Sequence, residues 1–354
     1  MEIRVQKGNL FTLIFNMIKR KIFQFLLVFM IPTSIMFGSY IYFDPFKIIW
    51  QNKSQFESEV PLNRDFVSTE LFIQHYKSQQ YNSFVFGSSR TISVMAEDWM
   101  KYIPKDSKVF KYDAAGENIY GIYCKLRYLN SINDIAIDNC LIFICRDAFH
   151  KEMNSSKHLN IKHPLISQES WIQFHFTHIK VYFTFKFLLG FFYYKITGKI
   201  NSLNEDIIQI NKTHLDISNN QIYVDGFENE LSKGEDEYYK KNNNLFHIEE
   251  ESLDKKAKRI EKEGFSSETI YMLKEIKKIL INHHTNYKII LSPTFDKIPF
   301  NKSALGTLNE IFPPDRIFNF TGTNWITENK YYWYENYHFR PFIGDSILKK
   351  VYEK

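Results

Sequence analysis

Cysteine is scarce in this chain, with three residues among 354: Cys124, Cys140 and Cys145. An odd number leaves no complete disulfide framework. Cys140 and Cys145 flank one predicted strand and are expected to point away from each other. We therefore expect buried free thiols, which excludes a fold held together by a disulfide framework.

A basic surface outside the N-terminus is also lacking. The net charge is +5, and residues 1–21 carry five basic residues and one acidic residue, which accounts for +4 of it. The remainder of the chain is close to neutral, whereas a nucleic-acid-binding domain carries a basic stripe on its folded part. We therefore expect no nucleic-acid partner. The hydrophobic content of 44% is ample for a folded core.

Charged residues are absent from Ile22–Phe43, a run of 22 residues. A helix of this length crosses a bilayer core of roughly 30 Å, and the run predicts one transmembrane helix. A buried core helix and a cleaved signal peptide are the alternatives, but the run is long and no clear small-x-small cleavage site follows it. The basic head, residues 1–21, is expected in the cytoplasm and residues 44–354 outside it.

Short apolar runs alternate with helical patterns along the rest of the chain. This alternation predicts a parallel sheet with right-handed crossovers, an α/β fold of the flavodoxin-like type. The spacing of Ile92, Met95, Trp99 and Ile103 predicts a helix after the first strand. The predicted strands are Phe84–Phe86, Val109–Tyr112, Cys140–Cys145, Tyr287–Leu291 and Arg316–Phe320.

Two stretches do not fit the strand and helix alternation. Residues 44–65 are predicted to form a stalk, and residues 151–265 an insertion whose segment 227–263 is a solvated, charge-rich surface. Within the insertion, the aromatic stretch Trp171–Ile196 predicts either a core helix or an amphipathic element lying on the membrane. His175 and His178 share a helical face, but no third metal ligand has a compelling spacing, so no metal site is predicted.

A Gly87-Ser88-Ser89-Arg90 turn follows the first predicted strand. In an open α/β sheet, the carboxyl end of a strand faces the crevice where ligands bind, which makes Ser89 a candidate nucleophile. Near the C-terminus, Glu335 precedes His338 by three residues. The carboxylate can hold the imidazole by Nδ1 and leave Nε2 free to take a proton from a serine.

The ordered set of strand-Gly87-Ser88-Ser89, a glycine turn at Gly116 and an acid-x-x-His block at the C-terminus resembles the SGNH (GDSL-like) hydrolase superfamily. It is most similar to a membrane-anchored bacterial branch that carries Gly-Ser-Ser-Arg and modifies cell-envelope glycans. The resemblance covers roughly residues 44–150 and 285–354. It implies Ser89 as the nucleophile, His338 as the base, Glu335 as the acid, and the N–H groups of Ser89 and Gly116 as oxyanion donors.

The chain departs from the family pattern at two functional positions. The acid before the histidine is usually aspartate, and Glu335 is one methylene longer. In the family pattern, the sequence block that follows the third strand usually supplies an asparagine to the oxyanion hole. The matching strand end in this chain is followed by Arg146-Asp147 instead. Asn118 and Arg146 are therefore the candidates for the remaining donor.

The resemblance implies a serine esterase or O-acyltransferase that acts on an acyl group, expected to be acetyl, of an envelope polysaccharide. It also implies that the enzyme is anchored in the bacterial cytoplasmic membrane by a single span. Its partners would be the polysaccharide, an acyl donor and a membrane protein that supplies the acyl group, with no cofactor and no metal. The alternative is a non-catalytic envelope protein that keeps the fold to bind glycans or assemble partners. Asp147, Asp296 and Asp345 are the other carboxylates that could serve as the acid.

Overall fold

A computed structural model describes residues 2–50, 58–209, 213–248, 253, 255–258 and 264–353. The chain divides into two compact units, residues 1–58 and 59–354. Of the predicted stalk, residues 51–57 lie outside the described residues.

The first unit consists mainly of one helix, α1 (Glu2–Phe43), that begins within the basic head. Its segment Ile14–Phe43 is long and apolar enough to cross a membrane by length and composition, with a mean hydropathy of 1.8. The carboxylate of Asp44 follows the helix and accepts the backbone N–H groups of Ile48, Ile49 and Trp50 at 3.0 Å. Asp44 therefore fixes the turn in which α1 ends.

The second unit is built on a parallel sheet. Within the described residues, the strands are β1 (Ser83–Gly87), β2 (Val109–Lys111), β3 (Asn139–Ile144), β4 (His214–Asp216), β5 (Gln221–Tyr223), β6 (Asn286–Leu291) and β7 (Ile317–Asn319). Five of them form one sheet in the order β2-β1-β3-β6-β7, and every pair is parallel. In order along the chain this is 2-1-3-4-5, the flavodoxin-like order of open α/β sheets. The predicted fold class is therefore confirmed at the level of sheet topology.

The central strands are apolar on both faces because helices cover both sides of the sheet. Every residue of β1 and β3 is buried, as expected for parallel strands between two helical layers. The α-helices whose bounds are described are α2 (Arg64–Gln79), α3 (Ala96–Trp99), α4 (Ile119–Asn130), α5 (Pro164–Ser167), α6 (Trp171–Tyr182), α7 (Phe185–Thr197), α8 (Asp225–Lys233), α9 (Glu235–Lys241), α10 (Ser267–Asn282), α11 (Lys302–Ile311) and α12 (Pro341–Tyr352).

Helix α10 illustrates how these helices form. Ser266 caps it by accepting the backbone N–H of Thr269 at 3.0 Å, and an N-cap of this type stabilises a helix by about 1 kcal/mol. Its buried side chains recur with helical periodicity and pack against α4. The helix therefore follows from a capping serine and a single apolar face.

The helix predicted after β1 is much shorter than its spacing suggests. Residues Ser89–Ser93 form a 3-10 turn, and only Ala96–Trp99 are α-helical. The physical reason is that Val94 and Met95 adopt extended dihedrals, and the carbonyls of Thr91 and Val94 accept hydrogen bonds from the buried ammonium of Lys111 at 2.5 and 2.9 Å. A side chain from β2 therefore stabilises the break between the two short helical segments.

The predicted insertion contains several elements that its composition did not indicate. The aromatic stretch forms two helices, α6 and α7, because Thr184 breaks the run and caps α7 by accepting the N–H of Phe187 at 3.3 Å. Strands β4 and β5 form an antiparallel hairpin. Of the charge-rich segment 227–263, residues 249–252, 254 and 259–263 lie outside the described residues.

Candidate active site

The turn that follows β1 brings Ser89 to the surface of the crevice. A Cβ atom at Gly87 would collide with the carbonyl oxygen of Phe143 on β3, so only glycine fits where the two strands part. Ser88 is buried, whereas Ser89 is half-buried. Because β2 and β3 lie on opposite sides of β1, this is the switch point of the sheet, where α/β folds bind their ligands.

Ser89, His338 and Glu335 form a hydrogen-bonded chain. The Oγ atom of Ser89 lies 2.8 Å from Nε2 of His338, and Nδ1 of His338 contacts Oε1 of Glu335. An ionised carboxylate only accepts, so Nδ1 carries the proton and Nε2 accepts from the serine hydroxyl. The contacts expected from the sequence for these three side chains are therefore present.

The loop that carries Glu335 also holds its carboxylate in place. Oε2 of Glu335 accepts the backbone N–H of Tyr337 at 2.8 Å, and Oε1 accepts that of His338 at 2.9 Å. A bridge between Trp333 and Phe339 closes the loop at its base. The extra methylene of glutamate lets the carboxylate fold back over its own turn, which explains how the longer acid fits.

The other carboxylates have different partners. Asp296 accepts from Arg146 and from Lys256, each at 2.8 Å. Burial alone would raise the pKa of Asp296, but the hydrogen bond and charge of Arg146 hold this pKa well below its usual range. Asp147 pairs with the same two cations, and Asp345 is half-buried with its carboxylate 3.7 Å from Lys101. Within the described part of the chain, Glu335 is the carboxylate on His338.

The turn at Gly116 starts beside the nucleophile turn. The backbone N–H of Ala114 donates to the carbonyl of Gly87 at 3.1 Å, and Gly116 adopts a φ of +61°, which favours glycine. Within the described residues, neither the N–H of Ser89 nor that of Gly116 donates to another protein group. Both groups are therefore available to a ligand, as oxyanion donors require.

The two further oxyanion candidates are held by other contacts. Arg146 is 2% exposed, and its guanidinium donates to Ile298 at 2.6 Å and to Asp296. Oδ1 of Asn118 accepts the N–H of Gly121 at 2.9 Å and caps α4. The guanidinium of Arg146 is therefore engaged in structural bonds, whereas the capping bond of Asn118 uses its oxygen and not the Nδ2 group that an oxyanion donor needs.

An asparagine that the sequence did not single out lies next to Gly116. Nδ2 of Asn160 donates to the carbonyl of Ala115 at 2.8 Å, and a Cβ at Gly116 would lie 3.0 Å from that nitrogen. Asn160 lies in the predicted insertion and not at the strand end before Arg146, where the family pattern places an asparagine. Its only sequence signal is its residue type, so spacing could not have found it.

Arg90 connects the nucleophile turn to the histidine loop. Its Nε donates to the carbonyl of Tyr337 at 2.8 Å, and its Nη1 lies 2.6 Å from Sγ of Cys145. Sγ of Cys145 is also 3.2 Å from Oγ of Ser88. Arg90 therefore holds the residue before His338 against the turn that presents Ser89.

We predict that Arg90→Lys lowers kcat more than it raises KM. A lysine keeps the charge, but its single nitrogen cannot occupy both the Nε and the Nη1 positions that contact Tyr337 and Cys145. Misplacing a catalytic group by about 1 Å costs up to about 10²-fold in rate. Steady-state kinetics on a soluble ester would measure both constants. A raised KM with unchanged kcat would show that Arg90 contacts the substrate instead of positioning His338.

Buried charged side chains stabilise both the Ser89 turn and the Gly116 turn. Lys111 binds the carbonyls at the end of the nucleophile turn, and burial lowers the pKa of this lysine to about 8. Glu117, directly after Gly116, accepts from Lys125 at 2.6 Å and from Lys162 at 2.5 Å. Burial would raise the pKa of Asp65, but Lys125 and Lys162 lower it to about 2. Opposite charges therefore offset one another under the Gly116 turn.

His175 and His178 do not form part of a metal centre in the described residues, where no three potential ligands cluster. Nδ1 of His178 lies 2.9 Å from the carbonyl of Phe174, and burial lowers the pKa of His178 to about 4. His175 stacks on Trp171. Both imidazoles therefore belong to the aromatic packing of α6.

No protein-family model matches the chain, and no curated protein matches it significantly.

Proposed function

We propose that this protein is an SGNH-type serine esterase or O-acyltransferase. The observation that carries the proposal is the contact of Ser89 with His338, whose other nitrogen is held by Glu335. A nucleophile within hydrogen-bond distance of a base, oriented by a third group, is the arrangement used for covalent acyl transfer. The flavodoxin-like sheet and the position of Ser89 at its switch point support the same proposal.

In the proposed first half-reaction, Oγ of Ser89 attacks the carbonyl carbon of an ester. Its proton passes to Nε2 of His338, and the carbonyl oxygen becomes an oxyanion facing the N–H groups of Ser89 and Gly116. The intermediate then collapses, the C–O bond to the leaving alcohol breaks, and His338 returns the proton to that alcohol. The acyl group remains on Ser89 as an ester.

The second half-reaction runs in the opposite direction. Water or a sugar hydroxyl attacks the acyl carbon and gives its proton to Nε2 of His338, and collapse releases Ser89 with the proton restored. Glu335 stabilises the imidazolium that forms in each half. Hydrolysis and transfer therefore differ only in the hydroxyl that enters the crevice.

The proposed substrate is an envelope polysaccharide outside the cytoplasm. The basic head before the uncharged run Ile22–Phe43 favours a cytoplasmic N-terminus, so the second unit would lie on the outer side of the bacterial cytoplasmic membrane. The Gly-Ser-Ser-Arg turn is similar to that of the membrane-anchored branch that modifies envelope glycans, and this similarity supports a glycan substrate. The same similarity supports an acyl donor and a partner protein in the membrane.

A chromogenic acetyl ester tests this proposal. We expect the full chain in detergent to release a rapid burst of p-nitrophenol from p-nitrophenyl acetate, stoichiometric with protein, followed by slower turnover. Oligosaccharide acceptors should accelerate turnover and become acetylated if transfer dominates. Release of p-nitrophenol no faster than in buffer, together with binding of oligosaccharides, would instead identify a non-catalytic glycan-binding protein.

A further inference from the structure

Helices α6 and α7 turn apolar side chains away from the protein core. On α6, the buried residues are Phe174, His178 and Tyr182, and Ile172 and Phe176 lie on the opposite face at a spacing of four residues. Their exposed fractions are 82% and 52%. Burial of one aromatic face therefore leaves a second apolar face uncovered.

Helix α7 repeats the pattern. Its buried residues are Phe187, Gly190 and Phe191, and Phe185, Leu189 and Ile196 recur on the other side at helical spacing. Phe185 is 77% exposed and Ile196 is 82% exposed. We call Ile172, Phe176, Phe185, Leu189 and Ile196 the α6–α7 face. Exposed apolar side chains that recur along one side of each of two consecutive helices indicate an interaction surface.

The charge of this segment is of one sign. Residues 171–199 contain no aspartate or glutamate and four lysines. Nζ of Lys180 lies 4.5 Å from the ring centroid of Phe176, and within the described residues neither Lys180 nor Lys199 has an acidic partner. Lys186 and Lys195 pair with the carboxylates of Asp206 and Glu59. The apolar face therefore lies among cations.

We infer that the α6–α7 face docks on the surface of an anionic lipid bilayer. Interfacial helices combine aromatic and aliphatic residues on one face with lysines whose ammonium groups reach the lipid headgroups. The same chain carries a helix of membrane-spanning length, so a bilayer is the partner whose chemistry this face matches. The inference does not depend on the proposed catalytic activity.

Photo-crosslinking of the full chain in vesicles tests the docking. The probe is p-benzoylphenylalanine at position 176 or 185, with position 271 as a matched control because Tyr271 is 56% exposed and Phe176 is 52% exposed. The vesicles contain phosphatidylcholine with or without phosphatidylglycerol. We expect lipid adducts at positions 176 and 185 and no lipid adducts at position 271.

The charge component has its own variant. Lys180→Gln combined with Lys199→Gln should weaken docking on phosphatidylglycerol vesicles by about fivefold per lysine, the effect of one basic residue at an anionic surface, without changing the adducts on phosphatidylcholine alone. Adducts at position 185 that join two protein chains would overturn the inference in favour of a protein interface. Equal lipid labelling at positions 185 and 271 would also overturn it.

Discussion

Ser89→Ala is expected to abolish ester turnover while leaving the fold intact. In the triad of subtilisin, loss of the serine lowers turnover by about 10⁶-fold, and we expect a loss of the same order here. Among the described residues, the hydroxyl of Ser89 is hydrogen-bonded to His338, and Ser89 is half-buried at the crevice. Its removal therefore leaves no buried group without a partner. Ester kinetics measure the loss, and thermal unfolding checks the fold.

Ser88→Ala is the matched control for that variant. Ser88 is buried, and its hydroxyl contacts Cys145 instead of His338. We expect Ser88→Ala to keep most of the activity. Inactivation by Ser88→Ala together with an active Ser89→Ala would contradict the assignment of the nucleophile.

Glu335→Gln should also lower turnover strongly, for two reasons. It removes the charge that stabilises the imidazolium of His338, and the equivalent change in the chymotrypsin-type triad costs about 10⁴-fold. It also places an NH₂ group where both carboxylate oxygens accept backbone N–H groups, from Tyr337 and His338. Either orientation of the amide therefore sets a donor against a donor in the loop.

The loss in Glu335→Gln should stay below that in Ser89→Ala, because the nucleophile and the base both remain, and in the subtilisin triad loss of the acid alone costs less than loss of the serine. Asp345→Asn is the control, since the carboxylate of Asp345 lies 3.7 Å from Lys101 and not on His338. Pre-steady-state kinetics of both variants would measure the acylation rate. Undiminished acylation in Glu335→Gln would show that Glu335 shapes the loop without serving as the acid.

The sheet could be predicted because its strands are short apolar runs that end at turn residues. Phe84–Phe86 lies inside β1, and the predicted third strand is shifted by one residue from Asn139–Ile144. Such runs are buried on both faces, so local sequence alone distinguishes them. Their 2-1-3-4-5 order is that of the flavodoxin-like class, in which parallel strands are joined by right-handed crossovers.

The insertion and the buried charges could not be predicted in the same way. Lys111, Lys125 and Lys162 are buried, although lysine in a sequence indicates a solvated surface. Each is neutralised or hydrogen-bonded by groups distant along the chain, such as Glu117 for Lys162. Only the folded chain brings these partners together.

The candidate site divides along the same line. Glu335 and His338 were identified because their contact is local, three residues apart, and Ser89 because of its turn. Arg90 contacts Tyr337 from 247 residues away, and Asn160 approaches Gly116 from the insertion. Local patterns therefore predict the candidate nucleophile, base and acid but not the residues that position them.

Covalent trapping of the nucleophile tests the central claim most directly. The full chain would be incubated with a fluorophosphonate, digested and mapped by tandem mass spectrometry, beside a His338→Asn variant that lacks the base. We predict one phosphonyl group on Ser89 in the native chain and none in the variant. An adduct on Ser88 or elsewhere, or no adduct in a folded protein, would contradict the claim that Ser89 is an activated nucleophile.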